Sequence, residues 1–366
     1  MKKRIRVGVV FGGRSAEHEV SLQSAKNVLE ALDRDKYEPV LIGIDREGRW
    51  RLDERSRLLF ESARPLPHLS ADAPREVALV ARGEQSRLLD LSGHREPAQL
   101  DVIFPVLHGP YGEDGSIQGL CRLANLPCVG AGILGSAVGM DKDVMKRLLR
   151  EAGIPTARSL LVTRGRAAPV FDEVAARLGV PVFVKPANMG SSVGVSKAET
   201  AAEYREAVET ALLYDTKALV EECIPGREIE CSVLGNADPV ASVPGEIVTG
   251  GGHAFYDYQA KYIDENGAEL LIPAPLSAPV TESVRALAVR AFTVLCCEGM
   301  ARVDMFLRDA GEIVMNEINT IPGFTRISMY PKLWEASGVS YGELVDRLIV
   351  LAIERHDLAQ GLKTTP

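Results

Sequence analysis

Arg302-Val303-Asp304-Met305-Phe306-Leu307-Arg308, Asp309-Ala310-Gly311 and Glu312-Ile313-Val314-Met315-Asn316-Glu317-Ile318-Asn319 run on from one another and read as a strand, a turn and a returning strand. Side chains alternate along a strand, so Arg302, Asp304 and Phe306 share one face, as do Met315, Glu317 and Asn319 on the return. A two-residue turn at Ala310-Gly311 sets Asp304 opposite Glu317 and Arg302 opposite Asn319. Two carboxylates and an amide oxygen then converge. These are hard oxygen donors of the kind Mg²⁺ takes beside substrate phosphates. The competing reading is an ordinary hairpin with a solvated charged face, against which Phe306 and Met315, expected on that same face, both argue.

Upstream, Val182-Phe183-Val184-Lys185-Pro186 leads into Ala187-Asn188-Met189-Gly190-Ser191-Ser192-Val193-Gly194. A lysine at a strand end beside a Gly/Ser loop can hold a polyphosphate: backbone N–H groups cradle oxygens and the ammonium adds a point charge. A surface hairpin with turn residues is the alternative.

Working outward, the first part of the chain alternates strand and helix patterns and predicts a parallel sheet. Ile5–Phe11 reads as a buried strand broken by Gly12-Gly13. A helix follows from about Ala16 to Leu32, with Val20, Val28, Ala31 and Leu32 on one side. Pro39–Ile44 and Asp101–Leu107 are further strands, and residues 53–97 carry no clear pattern. Asp141 is an N-cap for a helix over Lys142–Ala152, stopped by Gly153 and Pro155. Thr200-Ala201-Ala202-Glu203 is a capping box that opens a helix to about Leu213. Val280, Val284, Leu287, Ala291 and Leu295 form an apolar stripe at helical spacing.

Composition narrows the class. The chain has 366 residues, 46% of them hydrophobic and 25% charged, which is globular and long enough for two or three domains. Lys plus Arg is 42 against 50 Asp plus Glu, a net charge of −8 that argues against a nucleic-acid or anionic-membrane surface. Cys121, Cys128, Cys223, Cys231, Cys296 and Cys297 contain no Cys-x-x-Cys and read as small hydrophobes in a reducing, cytoplasmic compartment. The apolar run after the basic start is too short for a signal peptide. Gly130-Ala131-Gly132-Ile133-Leu134-Gly135 spells a dinucleotide fingerprint, but only the short run Pro127–Val129 precedes it. His18-Glu19 lacks the second histidine of a zinc-protease helix, because Leu22 stands there.

The lysine strand, glycine loop and downstream hairpin resemble the ATP-grasp superfamily. Three further stretches narrow this: His108-Gly109-Pro110-Tyr111-Gly112-Glu113-Asp114-Gly115, Tyr256-Asp257-Tyr258-Gln259-Ala260-Lys261-Tyr262 and Asn316-Glu317-Ile318-Asn319-Thr320-Ile321-Pro322-Gly323. With them the chain resembles the D-alanine–D-alanine ligases from Gly12-Gly13 to Pro331. Met189 and Arg326 stand where smaller or more polar residues are expected. The resemblance implies an α/β (α+β) chain: an N-terminal parallel-sheet, Rossmann-like domain (1–126) for substrate, then a two-part ATP-grasp fold. Its central part is 127–215. Its C-terminal part, 216–366, holds the lid loop and metal hairpin.

The implied reaction phosphorylates the carboxylate of one D-alanine with ATP, and the amine of a second D-alanine then displaces phosphate. The product feeds peptidoglycan synthesis. Lys142, Lys185 and Lys261 are implied phosphate ligands. Asp304, Glu317 and Asn319 would hold two Mg²⁺ ions, or Mn²⁺. Ser191, Ser192, Glu221, Glu222, Ile224, Glu228, Phe306 and Asn316 complete the ATP site, with Glu221 and Glu228 at adenine and ribose. Glu17 is implied to take the ammonium of the first D-alanine; acids in a first helical turn are common anyway. His108 is implied near its carboxylate. Ser191 and Tyr262 would join Glu17 in pinning a lid over about 249–265, hinged at Gly250-Gly251-Gly252. Arg302 and the Gly323 amide are implied as the oxyanion hole, and Ser328 with the Met329 amide as the seat of the second carboxylate. The resemblance also implies a homodimer, with no nucleic-acid or membrane partner. A D-lactate or D-serine ligase, a non-catalytic nucleotide-binding module and a nicotinamide oxidoreductase at Gly130–Gly135 are the competing classes.

Overall fold

The computed structural model describes residues 3–52, 75–82, 85–91, 98–249 and 268–363. The first sheet takes β1 (Ile5–Gly12), β2 (Tyr37–Ile44), β3 (Trp50–Leu52), β4 (Arg75–Arg82), β5 (Gln85–Asp90), β6 (Ala98–Gln99) and β7 (Val102–Val106). Their spatial order is β6-β5-β4-β3-β2-β1-β7. Only β2-β1-β7 is parallel; β3 to β6 add on antiparallel. The expected parallel sheet is therefore mixed, extended by β4 and β5 from within the patternless 53–97 region and by β3 and β6 at its borders.

Alternation on β1 and β7 explains why both read as near-continuous apolar runs. Val7, Val9, Phe11, Phe104 and Val106 face α1 (His18–Ala31), while Val10 and Ile103 face α2 (Ser116–Leu123) through Ile117 and Cys121. A parallel sheet covered on both faces has no polar side to show.

The next stretch forms α3 (Ile133–Met140), α4 (Lys142–Glu151), β8 (Ser159–Thr163), α5 (Phe171–Leu178), β9 (Val182–Pro186), β10 (Ser196–Ala198), α6 (Ala201–Tyr214) and β11 (Lys217–Glu222). Its sheet, β10-β9-β11-β8, is antiparallel throughout. One face is closed by Val174, Leu178, Tyr204, Ala207 and Ala211 of α5 and α6. The capping box on α6 is present, with Thr200 Oγ1 accepting from the Glu203 N–H and the Glu203 carboxylate accepting from the Thr200 N–H.

The third sheet is built from β12 (Arg227–Gly235), β13 (Val240–Ala241), β14 (Gly245–Thr249), β15 (Ala268–Leu271), β16 (Gly299–Leu307) and β17 (Ile313–Asn319). Its order is β15-β14-β12-β16-β17, with β13 on β12. Helix α7 (Ala278–Val294) and α4 pack on one face through Val284, Ala288, Phe292, Met145 and Leu149. Helix α8 (Met329–Ala336) leads into α9 (Tyr341–Gln360), whose Leu344, Leu348 and Ile349 return to the core of the first sheet.

The Gly130–Gly135 run has a packing explanation. A Cβ on Gly135 would lie 2.5 Å from the Cys296 carbonyl oxygen, and Gly130 has φ +94°. Among the cysteines, Cys121, Cys128, Cys231 and Cys297 are buried, but Cys296 is exposed and Cys223 partly so, unlike the small hydrophobes expected.

Candidate active site

Asp304 lies opposite Glu317 and Arg302 opposite Asn319, the expected pairs, by a different route. The turn holds three residues, closed by the Gly311 N–H to Arg308 O bond with Gly311 at φ +84°. That alone would shift the register by one. A bulge at Asn316 restores it, since Met305 pairs with Met315 while Asp304 pairs with Glu317. The bulge also corrects the expected face of Met315. It turns into the core beside Met305, and Asn316 and Glu317 both line a cavity of about 490 Å³.

The hairpin's polar groups form a tight charged row. Arg302 binds both oxygens of Asp304 at 2.7 and 2.8 Å and reaches Glu230, on the neighbouring β12, at 2.9 Å. Asn319 Nδ2 donates to Asp304 at 2.9 Å. Burial alone would lower the Arg302 pKa, but Asp304 and Glu230 outweigh it and hold the guanidinium firmly charged. Among the described residues no three carboxylate, histidine or cysteine side chains converge on one point. The donor set is two carboxylates and an amide, incomplete without outside oxygens. That fits a hard divalent cation shared with a phosphate and does not fit a closed structural metal site.

Across the cavity stand the lysines. Lys142, at the start of α4, donates to Met189 O at 2.8 Å and lies 3.2 Å from Glu317. The contact uses the Met189 backbone, so the unexpected side chain there costs nothing. Lys185 lies 2.9 Å from Glu221 and 3.4 Å from Asn316 Oδ1. Ser192, Glu222, Ile224, Glu228 and Phe306 line the same cavity. The Glu222 carboxylate is taken by Arg158 at 2.7–2.8 Å. Ser191 and Ser192 both have positive φ, +50° and +57°, which costs on the order of 1 kcal/mol each.

Lys146 escaped the sequence reading. Its side chain is fully buried and lies 3.1 Å from the Glu221 oxygen that Lys185 does not use. Burial lowers the Lys146 pKa and Glu221 pulls it back up. The signal was present: Lys142, Met145, Lys146 and Leu149 share one face of α4. Glu221 is thus no exposed strand carboxylate. Glu230 also went unnoticed.

A second group gathers where the β1–α1 loop meets the loop after β7. Glu17, at the N-cap of α1, makes no side-chain cap bond. Its carboxylate accepts a hydrogen bond from Ser191 Oγ and lies against Gly109, where a Cβ would sit 3.0 Å away. His108 is buried, with Nδ1 2.9 Å from Ile321 O and Nε2 3.2 Å from Ser24 Oγ. Burial lowers its pKa, with Glu17 and the Ile321 bond pulling the other way. Burial and Glu17 push the nearby Glu113 carboxyl up to about 8. Gly323 approaches Ser328 so closely that a Cβ would lie 2.8 Å from Ser328 Oγ. Ser328 precedes α8 without capping it, and its Oγ accepts from the Thr325 N–H at 3.0 Å, so the first amides of α8, Met329 among them, are left to other partners. Arg326 is exposed and pairs with Glu30. Lys261, Tyr262, the rest of Tyr256–Tyr262 and the Gly250-Gly251-Gly252 hinge lie outside the described residues.

Residues 6–131 match the family profile described as D-ala D-ala ligase N-terminus, and residues 148–350 match D-ala D-ala ligase C-terminus. The chain is 54% identical to the D-alanine–D-alanine ligase of Shouchella clausii (strain KSM-K16), over 98% of each. It is 50% identical to D-alanine–D-alanine ligase A of Escherichia coli (strain K12), over 99% of this chain and 100% of that one. Among solved structures, the D-alanine-D-alanine ligase from Coxiella burnetii superposes with TM-score 0.86 at 40% identity, covering 98% of this chain and 96% of that chain. The VanG D-Ala:D-Ser ligase from Enterococcus faecalis gives 0.83 at 35%, covering 96% and 100%.

Proposed function

The chain belongs to the D-alanine–D-alanine ligase family, and from that premise we propose how its own side chains carry out the reaction. The enzyme joins two D-alanines with ATP, for peptidoglycan precursor synthesis. Glu17 holds the ammonium of the first D-alanine, with Ser191 and Tyr262 tying the lid to it and His108 close to the carboxylate. Lys142, Lys185 and Lys261 hold the ATP phosphates, and Ser192 adds its backbone N–H. Glu221, Glu222, Ile224, Glu228 and Phe306 surround the nucleoside, Glu221 with its carboxylate already committed to two lysines. Asp304, Glu317 and Asn319 are the ligands for Mg²⁺ (two ions) or Mn²⁺, which neutralise phosphate charge when bound.

A carboxylate oxygen of the first D-alanine attacks the γ-phosphorus, and ADP leaves. The amine of the second D-alanine, seated by Ser328 and the Met329 amide, attacks the acyl carbon. Negative charge then develops on the carbonyl oxygen, where Arg302 and the Gly323 N–H receive it. Collapse expels phosphate. The parts 1–126, 127–215 and 216–366 supply first substrate, phosphate loop and metal hairpin in turn. We place the enzyme in the cytoplasm as a homodimer; among the described residues no helix is long and apolar enough to cross a membrane.

The observation that carries this reading is the bulged hairpin, which sets Asp304 and Glu317 side by side on the cavity that Lys142 and Lys185 enter. Glu317→Gln removes one charge at almost constant shape. ADP formation should fall by at least a thousandfold, about 4 kcal/mol of barrier, with the circular-dichroism spectrum unchanged. Near-normal turnover at saturating Mg²⁺ would remove the assignment.

A further inference from the structure

The segment that carries the Gly323 amide is fastened from outside its own sheet. The Ile321 N–H donates to Glu113 Oε1 at 3.0 Å, and the other oxygen of that carboxyl group accepts from the Gly109 N–H at 2.7 Å. His108 Nδ1 lies 2.9 Å from Ile321 O, and a carbonyl only accepts, so Nδ1 carries the hydrogen. The neutral ring then offers Nε2 as an acceptor. Ser24 Oγ, 3.2 Å from Nε2, accepts from the Phe324 N–H at 3.2 Å and has its own hydrogen left to donate to the ring. Every bond in this chain therefore has one direction. Ser24 and Glu113 are 0% and 8% exposed, so water cannot replace them. Neither residue has a part in the mechanism given above.

We propose that Glu113 and Ser24 are positioning residues for peptide-bond formation: through Ile321 and Phe324 they fix the Gly323 amide at the developing oxyanion. Gly323 sits two residues after one fastened amide and one before the other, which leaves its N–H little freedom to drift. The inference rests on the assignment of Arg302 and Gly323 to the oxyanion. Charge reaches that oxygen only in the second step. There the amine nitrogen bonds to the acyl carbon, the carbonyl pair moves onto oxygen, and its return breaks the bond to phosphate, which takes the amine proton. In the first step charge moves on the phosphoryl group instead. Loosening the segment should slow the second step and spare the first.

Rapid-quench single turnovers of the full chain with ATP, Mg²⁺ and D-alanine, reading ADP and dipeptide in the same samples, test this. Glu113→Gln keeps the shape but sets an NH₂ against an N–H donor. Ser24→Ala removes the link between Phe324 and His108. In both, ADP formation should stay within about threefold of the unaltered chain while dipeptide lags at least tenfold behind it, in keeping with the cost of a displaced oxyanion donor. ADP and dipeptide slowing together, or neither slowing, overturns the proposal. If Glu113→Gln does not fold, Ser24→Ala alone decides. Arg302→Lys separates the inference from its premise. A lag there with none in the other two removes only the positioning role, and no lag in any of the three removes the oxyanion assignment.

Discussion

Glu17 illustrates how far a single residue can be read. Its place at the head of α1 suits an acid that merely faces the helix dipole, yet its side chain leaves the helix for Ser191. Glu17→Ala should weaken the first D-alanine by roughly 10- to 100-fold, the worth of about 1.5–3 kcal/mol for a hydrogen bond to a charged group. The second D-alanine should be little affected. Steady-state kinetics that resolve the two sites check this, and equal weakening would favour the dipole role. Glu221 gives a pH prediction. Burial alone would raise its carboxyl, but Lys146 and Lys185 outweigh that and hold it below the ordinary glutamate value. A lowered native pKa means the stabilisation is complete above about 4.3 and is lost as pH falls through the native value. Glu221→Gln strands two buried ammonium groups and should cost on the order of 3–5 kcal/mol at pH 7. The gap in urea midpoint between it and the unaltered chain should narrow well below pH 4. Lys185, Asp304, Glu317 and Asn319 were legible because strand alternation and donor type are local. Glu113 and Ser24 were not, because their partners stand 208 and 300 residues away; Lys146 shares the α4 face of Lys142, but its partner Glu221 stands 75 residues on.

Elements whose ends are chemically marked emerged where the sequence put them. Asp141 caps α4, its Oδ1 accepting from the Asp143 and Val144 N–H groups at 3.1 and 3.2 Å while Oδ2 pairs with Lys217. That cap sets Lys142 at the cavity and Lys146 against Glu221. Asp141→Ala should cost about 1 kcal/mol of stability and raise the KM for ATP severalfold, and Asp141→Asn, which keeps the cap, should restore most of the stability. Thermal melts and ATP saturation curves check both. The hairpin shows the limit of such reading. A period of two predicts which residues face one another but is silent on a bulge, so a longer turn and an extra residue at Asn316 cancelled unseen. Strands β3 to β6 were illegible for another reason. They extend an existing sheet by backbone pairing, and their composition, interrupted by Arg51, Arg75, Arg82 and Arg87, carries little apolar alternation.

At the scale of the whole molecule, the parts of the chain are interlocked. Helix α9, the last element, buries Leu348 and Ile349 against the first sheet, and Arg355 binds the Cys128 and Gly130 carbonyls at 2.7 and 2.6 Å. The reaction needs this union, since the proposed first-substrate groups Glu17 and His108 belong to one end of the chain and Arg302 and Gly323 to the other. No local pattern announces such docking; the apolar face of α9 packs at once on β16 of its own sheet and on β7 and α1 of the first. The first D-alanine passes through an acyl phosphate on its way to the dipeptide, and one of its carboxylate oxygens leaves with the phosphate. D-alanine labelled with ¹⁸O in its carboxylate, incubated with ATP, Mg²⁺ and the unaltered chain, tests it directly. One ¹⁸O is expected in each phosphate released, with ADP, phosphate and dipeptide formed in equal amounts. Dipeptide formed together with unlabelled phosphate would contradict it.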